Sequence, residues 1–255
     1  MTYETLVLES DGPVARVWLN RPERHNALDA RTLEEIADVF AALQQRFDAA
    51  VVVLGGRGPS FCSGADRKDP PARLTRATGA GPRARRHASQ IGRRALEAIE
   101  RCEAVTIARL HGHVIGGGVV LALGCDLRIA AASTSFRIPE VELGVPLTWG
   151  GVPRLVAAVG TARAKELVLV GDRFDAATAE QLGVVNRVVA DDALDAAVDA
   201  WAQRVAAQPR WATHMTKTQF VAYGRAAVLG DVTELDGDLL TQASREDPAR
   251  FRLPE

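Results

Sequence analysis

The sequence predicts an α/β protein in which strands and helices alternate up to about residue 190, followed by a region that is only helical. Short apolar runs of strand length, at residues 51–54 and 105–108, are bounded by glycine, proline or charged residues. Other segments repeat apolar residues at spacings of three and four, which is typical of one face of a helix. From residue 192 onward only this helical spacing occurs.

The first elements are a hairpin, a helix and a buried strand. Residues 6–8 and 14–19 flank an Asp-Gly-Pro turn and predict two strands. An amphipathic helix is expected from about Asp29, with Asp29 or Asn26 as its N-cap. Residues 51–54 are all apolar and predict a short buried strand, which the next two glycines end in a loop.

The middle of the chain is organised around three consecutive glycines, residues 116–118. Residues 105–108 before them predict a buried strand. The run 119–123 after them has no polar residue and predicts the start of a buried helix. Residues 126–131 predict a further strand, so the triplet forms the turn of a strand–helix–strand unit.

The second half of the chain is mainly helical. A glycine pair opens its first helix, and a single glycine ends the third. The helices expected are, in order, 150–159, 161–170, 175–181, one from Asp192, one from Pro209 and 232–244. The chain therefore divides into a mixed region, 1–190, and a helical region, 191–255.

Composition excludes several classes of function. The chain has 255 residues, 47% hydrophobic and 25% charged, and a formal net charge of −1 at pH 7. Such a balance provides no field for nucleic acid or a membrane surface, so neither is expected as a partner. The N-terminus lacks the apolar segment of a signal peptide. The cysteines, Cys62, Cys102 and Cys125, lack metal-ligand spacing and fit a reducing compartment, so we expect a cytoplasmic protein without a metal.

The glycine triplet carries the most specific local chemistry. A strand, a glycine turn and a helix place backbone N–H groups at a helix N-terminus, with no side chains in front of them. No Lys-Ser/Thr pair and no G-x-G-x-x-G pattern is present, which disfavours a nucleotide-binding loop. Two interpretations remain. The triplet is an oxyanion site for charge that develops on a carbonyl oxygen, or a tight turn that permits close helix packing.

Four motifs together resemble the signature of the enoyl-CoA hydratase/isomerase (crotonase) superfamily. They are R-P-x-x-x-N-A-L from Arg21, F-C-S-G-A-D from Phe61, G-x-x-x-G-G-G with C-D from Gly112, and P-E-x-x-L-G from Pro139. The resemblance implies a crotonase-like spiral of ββα turns over 1–190 that holds the acyl-CoA site. It also implies a helical oligomerisation region over 191–255 that packs in a homotrimer, or in a hexamer that is a dimer of trimers. An enzyme of fatty acid metabolism is expected, with no cofactor, since coenzyme A enters as part of the thioester substrate.

The resemblance also implies the catalytic residues. The backbone N–H groups of Ala65 and Gly117 correspond to the two that stabilise the enolate oxygen. Glu140 corresponds to the acid/base glutamate; the alternative, a surface glutamate, suits Glu142 better. Hydratases of the family have a second glutamate, and Val120 stands at that position.

The loss of that second carboxylate favours one reaction type. Adding water requires one group to activate the water and another to deliver a proton, whereas a single carboxylate can carry a proton between two carbons. The sequence resembles the Δ3,Δ2-enoyl-CoA isomerases in keeping only the glutamate of the Pro-Glu pair. Thr148 stands where the dienoyl-isomerase branch has an aspartate, so that branch is disfavoured. Pro146 is one residue early relative to the family pattern, and the bulk of Trp149 is expected to narrow the acyl pocket.

The remaining site residues are candidates for contact with substrate or coenzyme A. They are Arg24, His25, Ala27, Ser63, Asp66, Lys68, Trp149 and Lys217. Lys217 matches a lysine that reaches the ligand from a neighbouring helix, or else is a solvated helix lysine. The basic segment 67–94 is a rim for a phosphorylated ligand or, by the simpler interpretation, a solvated loop.

Other reactions remain open at this stage. His111 and His113 flank Gly112 and could act as bases, or could cap backbone carbonyls at a strand end. The alternatives to isomerisation are hydration through other groups, thioester hydrolysis or decarboxylation using His113 or a bound water, and acyl-CoA binding without catalysis.

Overall fold

The computed structural model describes residues 2–45, 48–71 and 81–224, and within them the chain forms nine strands and eight α-helices. The strands are β1 (Leu6–Asp11), β2 (Val14–Leu19), β3 (Val51–Gly56), β4 (Val105–Leu110), β5 (His113–Ile115), β6 (Leu127–Ala131), β7 (Ser135–Arg137), β8 (Phe174–Asp175) and β9 (Arg187–Val189). The helices are α1 (Ala30–Gln45), α2 (Pro82–Ser89), α3 (Ile91–Arg101), α4 (Gly117–Gly124), α5 (Gly151–Leu169), α6 (Ala176–Leu182), α7 (Leu194–Ala206) and α8 (Arg210–Gly224).

Successive turns of the chain add one strand to each of two sheets. The larger sheet has the order β1-β2-β3-β4-β6-β9, antiparallel in the predicted β1–β2 hairpin and parallel elsewhere, and the smaller has the order β5-β7-β8. Two isolated parallel bridges, Leu28 with Ala65 and Cys62 with Val114, extend the pairing of the smaller sheet to earlier turns. Each parallel crossover thus passes through an extended stretch and a helix. This architecture is the ββα spiral that the family resemblance implies.

Two hydrophobic cores lie on the two faces of the larger sheet. In the main core α1 packs on α3, and α4 packs on α3 and α5. In the second core α7 covers β2, β3, β4 and β6 through the face that carries Leu194, Val198 and Ala202. Because both faces are covered, β3 is buried at every position, as its continuous apolar sequence predicts. Helix α4 is also buried at every residue, which agrees with its lack of a polar face.

Asp29, one of the two N-cap candidates, begins helix α1. Its Oδ1 accepts a hydrogen bond from Thr32 N at 2.8 Å. Asn26 has another role, because its backbone is left-handed (φ +55°) and its side chain connects two segments. The Asn26 Oδ1 accepts from Arg21 N at 2.8 Å, and its Nδ2 donates to Ser60 O at 2.8 Å. This residue therefore holds the loop before α1 against the loop after β3.

Three predicted elements differ in detail from the structure. Strand β3 continues through the glycine pair that was expected to end it, because Gly55 and Gly56 pair with Trp18 and Leu19 of β2. Helix α5 joins two predicted helices across Gly160, whose φ of +75° and ψ of 162° are not helical. The predicted helix over 232–244 and part of the basic segment 67–94 lie outside the described residues.

Helix α8 buries a lysine and exposes aromatic side chains. Lys217 is only 7% exposed, and its Nζ donates to Ala104 O and pairs with Asp126 Oδ2, both at 2.8 Å. This burial contradicts the solvated alternative, and a contact between Lys217 and a ligand stays a prediction. The same helix exposes Trp211 and Phe220 to 77% and 75%. The domain boundary near residue 190 stays a prediction. Within the described ranges, every helix is too short or too polar to cross a membrane.

Candidate functional site

The backbones of Ala65 and Gly117 lie close together where the smaller sheet meets the start of α4. The bridge between Cys62 and Val114 aligns the two segments, and Ile115 N donates to Cys62 O at 3.0 Å. An ideal Cβ on Gly64 would lie 3.6 Å from Gly117 N, so the adjacent residue Ala65 is near that amide. Among the described residues, neither the Ala65 N–H nor the Gly117 N–H has a hydrogen-bond acceptor. Such a pair of donors at a helix N-terminus can stabilise a negatively charged oxygen.

Each glycine of the triplet is in a place that excludes a side chain. A Cβ on Gly116 would lie 2.5 Å from Glu140 Oε1, and one on Gly117 would lie 2.5 Å from Trp149 Cζ3. A Cβ on Gly118 would lie 2.7 Å from Cys62 O. The two interpretations of the triplet are therefore compatible, because the close packing is what brings the donors and the carboxylate together.

Glu140 lies against the triplet because β5 and β7 are parallel neighbours. Ile115 is opposite Arg137, and Gly116 N donates to Arg137 O at 2.8 Å, which brings Glu140 beside Gly116. The Glu140 Oε2 atom is buried and has no hydrogen-bond partner in the part of the chain that the structure describes. Burial raises the pKa of Glu140 to about 7, and a hydrogen bond from its own backbone N–H lowers it by less. A carboxyl group with this pKa can exchange protons near neutral pH.

Glu142, two residues away, occupies the surface position considered for Glu140. Its side chain is 61% exposed and pairs with the Arg137 guanidinium. The contrast follows from the turn after β7, which directs Glu140 inward and Glu142 toward solvent. The sequence favours Glu140 over Glu142 as the acid/base. The structure agrees with this order, because it buries Glu140 Oε2 and exposes the side chain of Glu142.

Two buried apolar side chains, Val120 and Trp149, lie beside the triplet. Val120 is 1% exposed, and its Cγ2 would be 2.8 Å from a Cβ on Gly151. A carboxylate at position 120 would be buried among apolar groups at a cost of roughly a few kcal/mol unless it found a partner. Trp149 is 9% exposed and has a left-handed backbone (φ +60°), which is unusual for a bulky residue.

The carboxylate of Asp66 accepts hydrogen bonds from other groups of the protein. Its Oδ1 accepts from Lys68 N and its Oδ2 from Arg21 Nη2, both at 2.9 Å. Burial raises the pKa of Asp66, but hydrogen bonds from the Asp69 and Lys68 amides and from Arg21 outweigh burial and hold the pKa below its usual range. Arg21 also donates to Ala27 O, so its guanidinium connects the loop before α1, through Asp66, to the loop around Ala65. This positioning role of Arg21 was not predicted, although the R-P pair was its signal.

The candidates for contact with coenzyme A lie on two adjacent loops, one before α1 and one after β3. Ser63 Oγ donates to Arg24 O at 3.3 Å, and His25 Nδ1 lies 3.0 Å from Ser60 Oγ. The Arg24 side chain is 41% exposed, with its Nη1 3.9 Å from Asp66 Oδ1. Lys68 is exposed on the second of these loops. These positive side chains border the oxyanion donors, where a negatively charged ligand would meet them.

The two histidines next to Gly112 differ in their surroundings. His111 Nδ1 accepts from Arg109 Nη1 at 2.9 Å, so the neutral ring donates from Nε2 to Gly58 O at 2.9 Å. Burial lowers the pKa of His111, in agreement with a neutral ring whose two nitrogens are both occupied. His113 is exposed, with its ring 5.9 Å from the ring of His25. The non-catalytic alternative, in which a histidine caps a backbone carbonyl, therefore suits His111, whereas His113 is accessible to solvent.

The cysteines do not supply a nucleophile or a metal site. All three are buried, and burial raises the pKa values of Cys62 and Cys125 to about 12 and that of Cys102 above its usual value. No cluster of three or more potential His, Cys, Asp or Glu metal ligands occurs among residues 2–45, 48–71 and 81–224.

Comparison with known proteins identifies the relatives of this chain. A sequence model of the enoyl-CoA hydratase/isomerase family matches residues 9–250. A crotonyl-CoA hydratase of Syntrophomonas wolfei is 33% identical over 95% of this chain and 88% of its own length. The structure of a Thermobifida fusca protein in complex with acetoacetyl-CoA is 35% identical, with a TM-score of 0.78 over 96% of this chain and 95% of that one. The structure of a monofunctional enoyl-CoA isomerase from M. smegmatis is 32% identical, with a TM-score of 0.73 over 88% of this chain and 96% of that one.

Proposed function

The chain belongs to the enoyl-CoA hydratase/isomerase family, and from this premise we propose that it shifts a carbon–carbon double bond in an acyl-CoA thioester. Membership makes it an acyl-CoA enzyme. The finer proposal is that 3-enoyl and 2-enoyl thioesters are interconverted, with Glu140 as the only proton carrier. Hydration is the second candidate, because the family relatives include a crotonyl-CoA hydratase as well as an enoyl-CoA isomerase.

The mechanism begins with the thioester oxygen between the N–H groups of Ala65 and Gly117. Glu140 takes a proton from C2 of a 3-enoyl thioester, and the C–H electron pair moves toward the carbonyl, whose oxygen becomes negative. The two N–H donors stabilise that charge without reorganisation. When the carbonyl re-forms, the double bond shifts to C2–C3 and C4 takes the proton back from Glu140. Substrate and product are isomers, so neither water nor a cofactor is consumed.

One observation carries this proposal: of the two family glutamates, this chain retains only Glu140. Glu140 Oε2 is buried without a partner in the described ranges, and Val120, also buried, occupies the position of the second family glutamate. A single carboxyl group with a pKa of about 7 can accept a proton and return it. Water addition would require another group to act with Glu140. His113, whose side chain is exposed, is the candidate for that role.

The test follows two substrates at once. Native protein is incubated with a 3-enoyl-CoA and with crotonyl-CoA in deuterated water, and the isomer and the 3-hydroxyacyl product are quantified by mass spectrometry. We expect double-bond migration to be faster than hydration. Faster hydration would contradict the proposal and favour the hydratase candidate. Release of free CoA would indicate a hydrolase, and tight acyl-CoA binding without any product would indicate a non-catalytic relative.

Coenzyme A is proposed to bind along two adjacent loops, the one that carries Arg24, His25 and Ala27 and the one that carries Ser63, with Lys68 near its phosphates. The exposed guanidinium of Arg24 and the ammonium of Lys68 supply positive charge there, and backbone atoms near Ala27 supply hydrogen bonds. Asp66 takes part indirectly, because its carboxylate fixes the amide of Lys68 and the guanidinium of Arg21. The cytoplasmic location stays a prediction from the sequence.

We further propose that the protein assembles as a homotrimer or as a dimer of trimers. Helix α8 exposes Trp211, Phe220 and Tyr223 to 75% or more, and large apolar side chains exposed on one helix mark an interface. Light scattering at micromolar concentration should give the mass of three or six chains. A monomer under those conditions would contradict the assembly without affecting the reaction assigned to Glu140.

A further inference from the structure

The side chain of Trp149 has a fixed place beside the proposed oxyanion donor. A Cβ built on Gly117 would lie 2.5 Å from Trp149 Cζ3 and 3.1 Å from Cη2, so the edge of the six-membered ring touches this glycine. The ring thus takes up volume immediately next to the residue whose N–H is assigned to the thioester oxygen. Any acyl group held by that N–H has to extend past, or away from, the indole.

The ring is held from its other side by helix α3. A Cβ on Gly92 would lie 2.2, 2.3 and 2.4 Å from Trp149 Cδ2, Cε2 and Cγ, three atoms at nearly equal distance. Equal distances to three adjacent ring atoms mean that the helix backbone at Gly92 packs on the face of the indole. The ring therefore lies between Gly92 and Gly117, and the absence of a side chain at both positions makes room for it.

The backbone of Trp149 is held in an unfavourable conformation. Its φ is +60°, in the left-handed region, and Gly150 follows with a φ of +75°. A bulky residue adopts this conformation only where the surrounding structure imposes it, and such positions cluster at ligand sites.

We propose that Trp149 is a specificity-determining residue that closes the acyl site on the side of α3 and restricts it to short acyl chains. The inference rests on the proposed acyl-CoA function and adds the class of acyl group. In an open apolar pocket each additional methylene tightens binding. A rigid ring with a helix behind it removes that gain, because a longer chain would have to displace both.

The test measures binding of free CoA, butanoyl-CoA and octanoyl-CoA by calorimetry, since saturated thioesters bind without turnover. We expect native protein to bind octanoyl-CoA no more tightly than butanoyl-CoA. In Trp149→Ala the ratio of the two affinities should move by about tenfold or more toward octanoyl-CoA, in line with the apolar area made available. The affinity for free CoA should stay within about twofold, because the two residues that the ring packs against, Gly92 and Gly117, are not among those assigned to coenzyme A.

Two further variants keep the test decisive if Trp149→Ala folds poorly. Trp149→Phe, a smaller ring, should move the ratio in the same direction by a smaller factor. Gly92→Ala pushes the ring toward Gly117, so both acyl-CoA affinities should fall while that of free CoA is kept. The matched control is Trp201→Phe, on α7 and packed against the second core, which should leave the ratio unchanged.

The outcomes separate the specificity of Trp149 from the acyl-CoA function itself. An octanoyl-to-butanoyl ratio that is the same in native protein, Trp149→Phe and Trp149→Ala would overturn the inference and leave the function intact. Tighter binding of octanoyl-CoA by native protein would do the same. Failure of native protein to bind either thioester would remove the proposed function, and the specificity with it.

Discussion

Glu140→Gln is expected to lower kcat by about 10³-fold, within the range that a positioned acid/base supplies. The amide keeps the shape of the side chain beside Gly116 but cannot accept and return a proton. The affinity for acetoacetyl-CoA should change by no more than about threefold, so that the loss appears in the chemical step and not in binding. Single-turnover kinetics and calorimetry measure the two quantities separately.

The same substitution should change the pH dependence of activity and stability. With the pKa of Glu140 at about 7, the kcat/KM of native protein rises with pH through that value, because the carboxylate is the form that accepts a proton. The folded state raises this pKa, so it favours the protonated form. The stability that this contributes is complete below the unfolded pKa and is lost as pH rises through about 7. Glu140→Gln should therefore gain stability relative to native protein between pH 6 and pH 8, roughly the interval around that pKa.

Glu142→Gln is the matched control for this experiment. The residue belongs to the same turn, but it is exposed and paired with Arg137, so its amide variant should retain native kcat and the native pH profile. Equal losses in the two variants would point to damage to the turn. Rapid turnover by Glu140→Gln would end the assignment of Glu140 and direct attention to His113.

Gly116→Ala is expected to reduce kcat by about 100-fold, because a misplacement of about 1 Å can have that effect. The added Cβ would lie 2.5 Å from Glu140 Oε1 and 3.2 Å from Cδ, so the carboxyl group has to move. The backbone also opposes the change, since Gly116 has a φ of +51°. Circular dichroism and thermal unfolding would establish that the variant is folded before its kinetics are compared.

Gly12→Ala separates the effect of backbone strain from the effect on the carboxyl group. Gly12 has a φ of +57°, close to that of Gly116, but a Cβ there meets no atom within 4 Å. Its alanine variant should lose roughly 1 kcal/mol of stability and keep native activity. The double variant Gly116→Ala with Glu140→Gln should be no slower than Glu140→Gln, because both changes remove the same proton transfer. A further loss in the double variant would show that Gly116 acts by another route.

Patterns that are local in the chain were sufficient for most of the fold. The spacing of Leu33, Ile36, Phe40 and Leu43 predicts α1, and the apolar runs predict β3 and β4, because periodicity reflects which side faces a core. Motifs whose residues lie within one turn also predict the roles of Ala65, Gly117 and Glu140, and these roles stay predictions. A backbone donor requires only a small residue at the right place in a turn, which a motif can specify.

The properties that depend on contact between distant segments were decided by the tertiary structure. Asp29 and Asn26 were equal candidates in sequence, and only the pairing of Asn26 with Ser60 separates them. Lys217 has the sequence context of a surface lysine, yet Ala104 and Asp126 hold it in the interior.

The site owes its chemistry to the same kind of contact. Glu140 acquires a pKa of about 7 because parallel pairing of β5 and β7 buries its carboxyl group against Gly116. The Trp149 ring packs beside Gly117 because Gly92 of α3 has no side chain that would occupy the same space. The amino-acid sequence specifies which groups this chain possesses and in which local elements they stand. Desolvation and steric exclusion act between segments that are distant in the chain. The acidity of Glu140 and the position of the Trp149 indole therefore depend on the folded spiral.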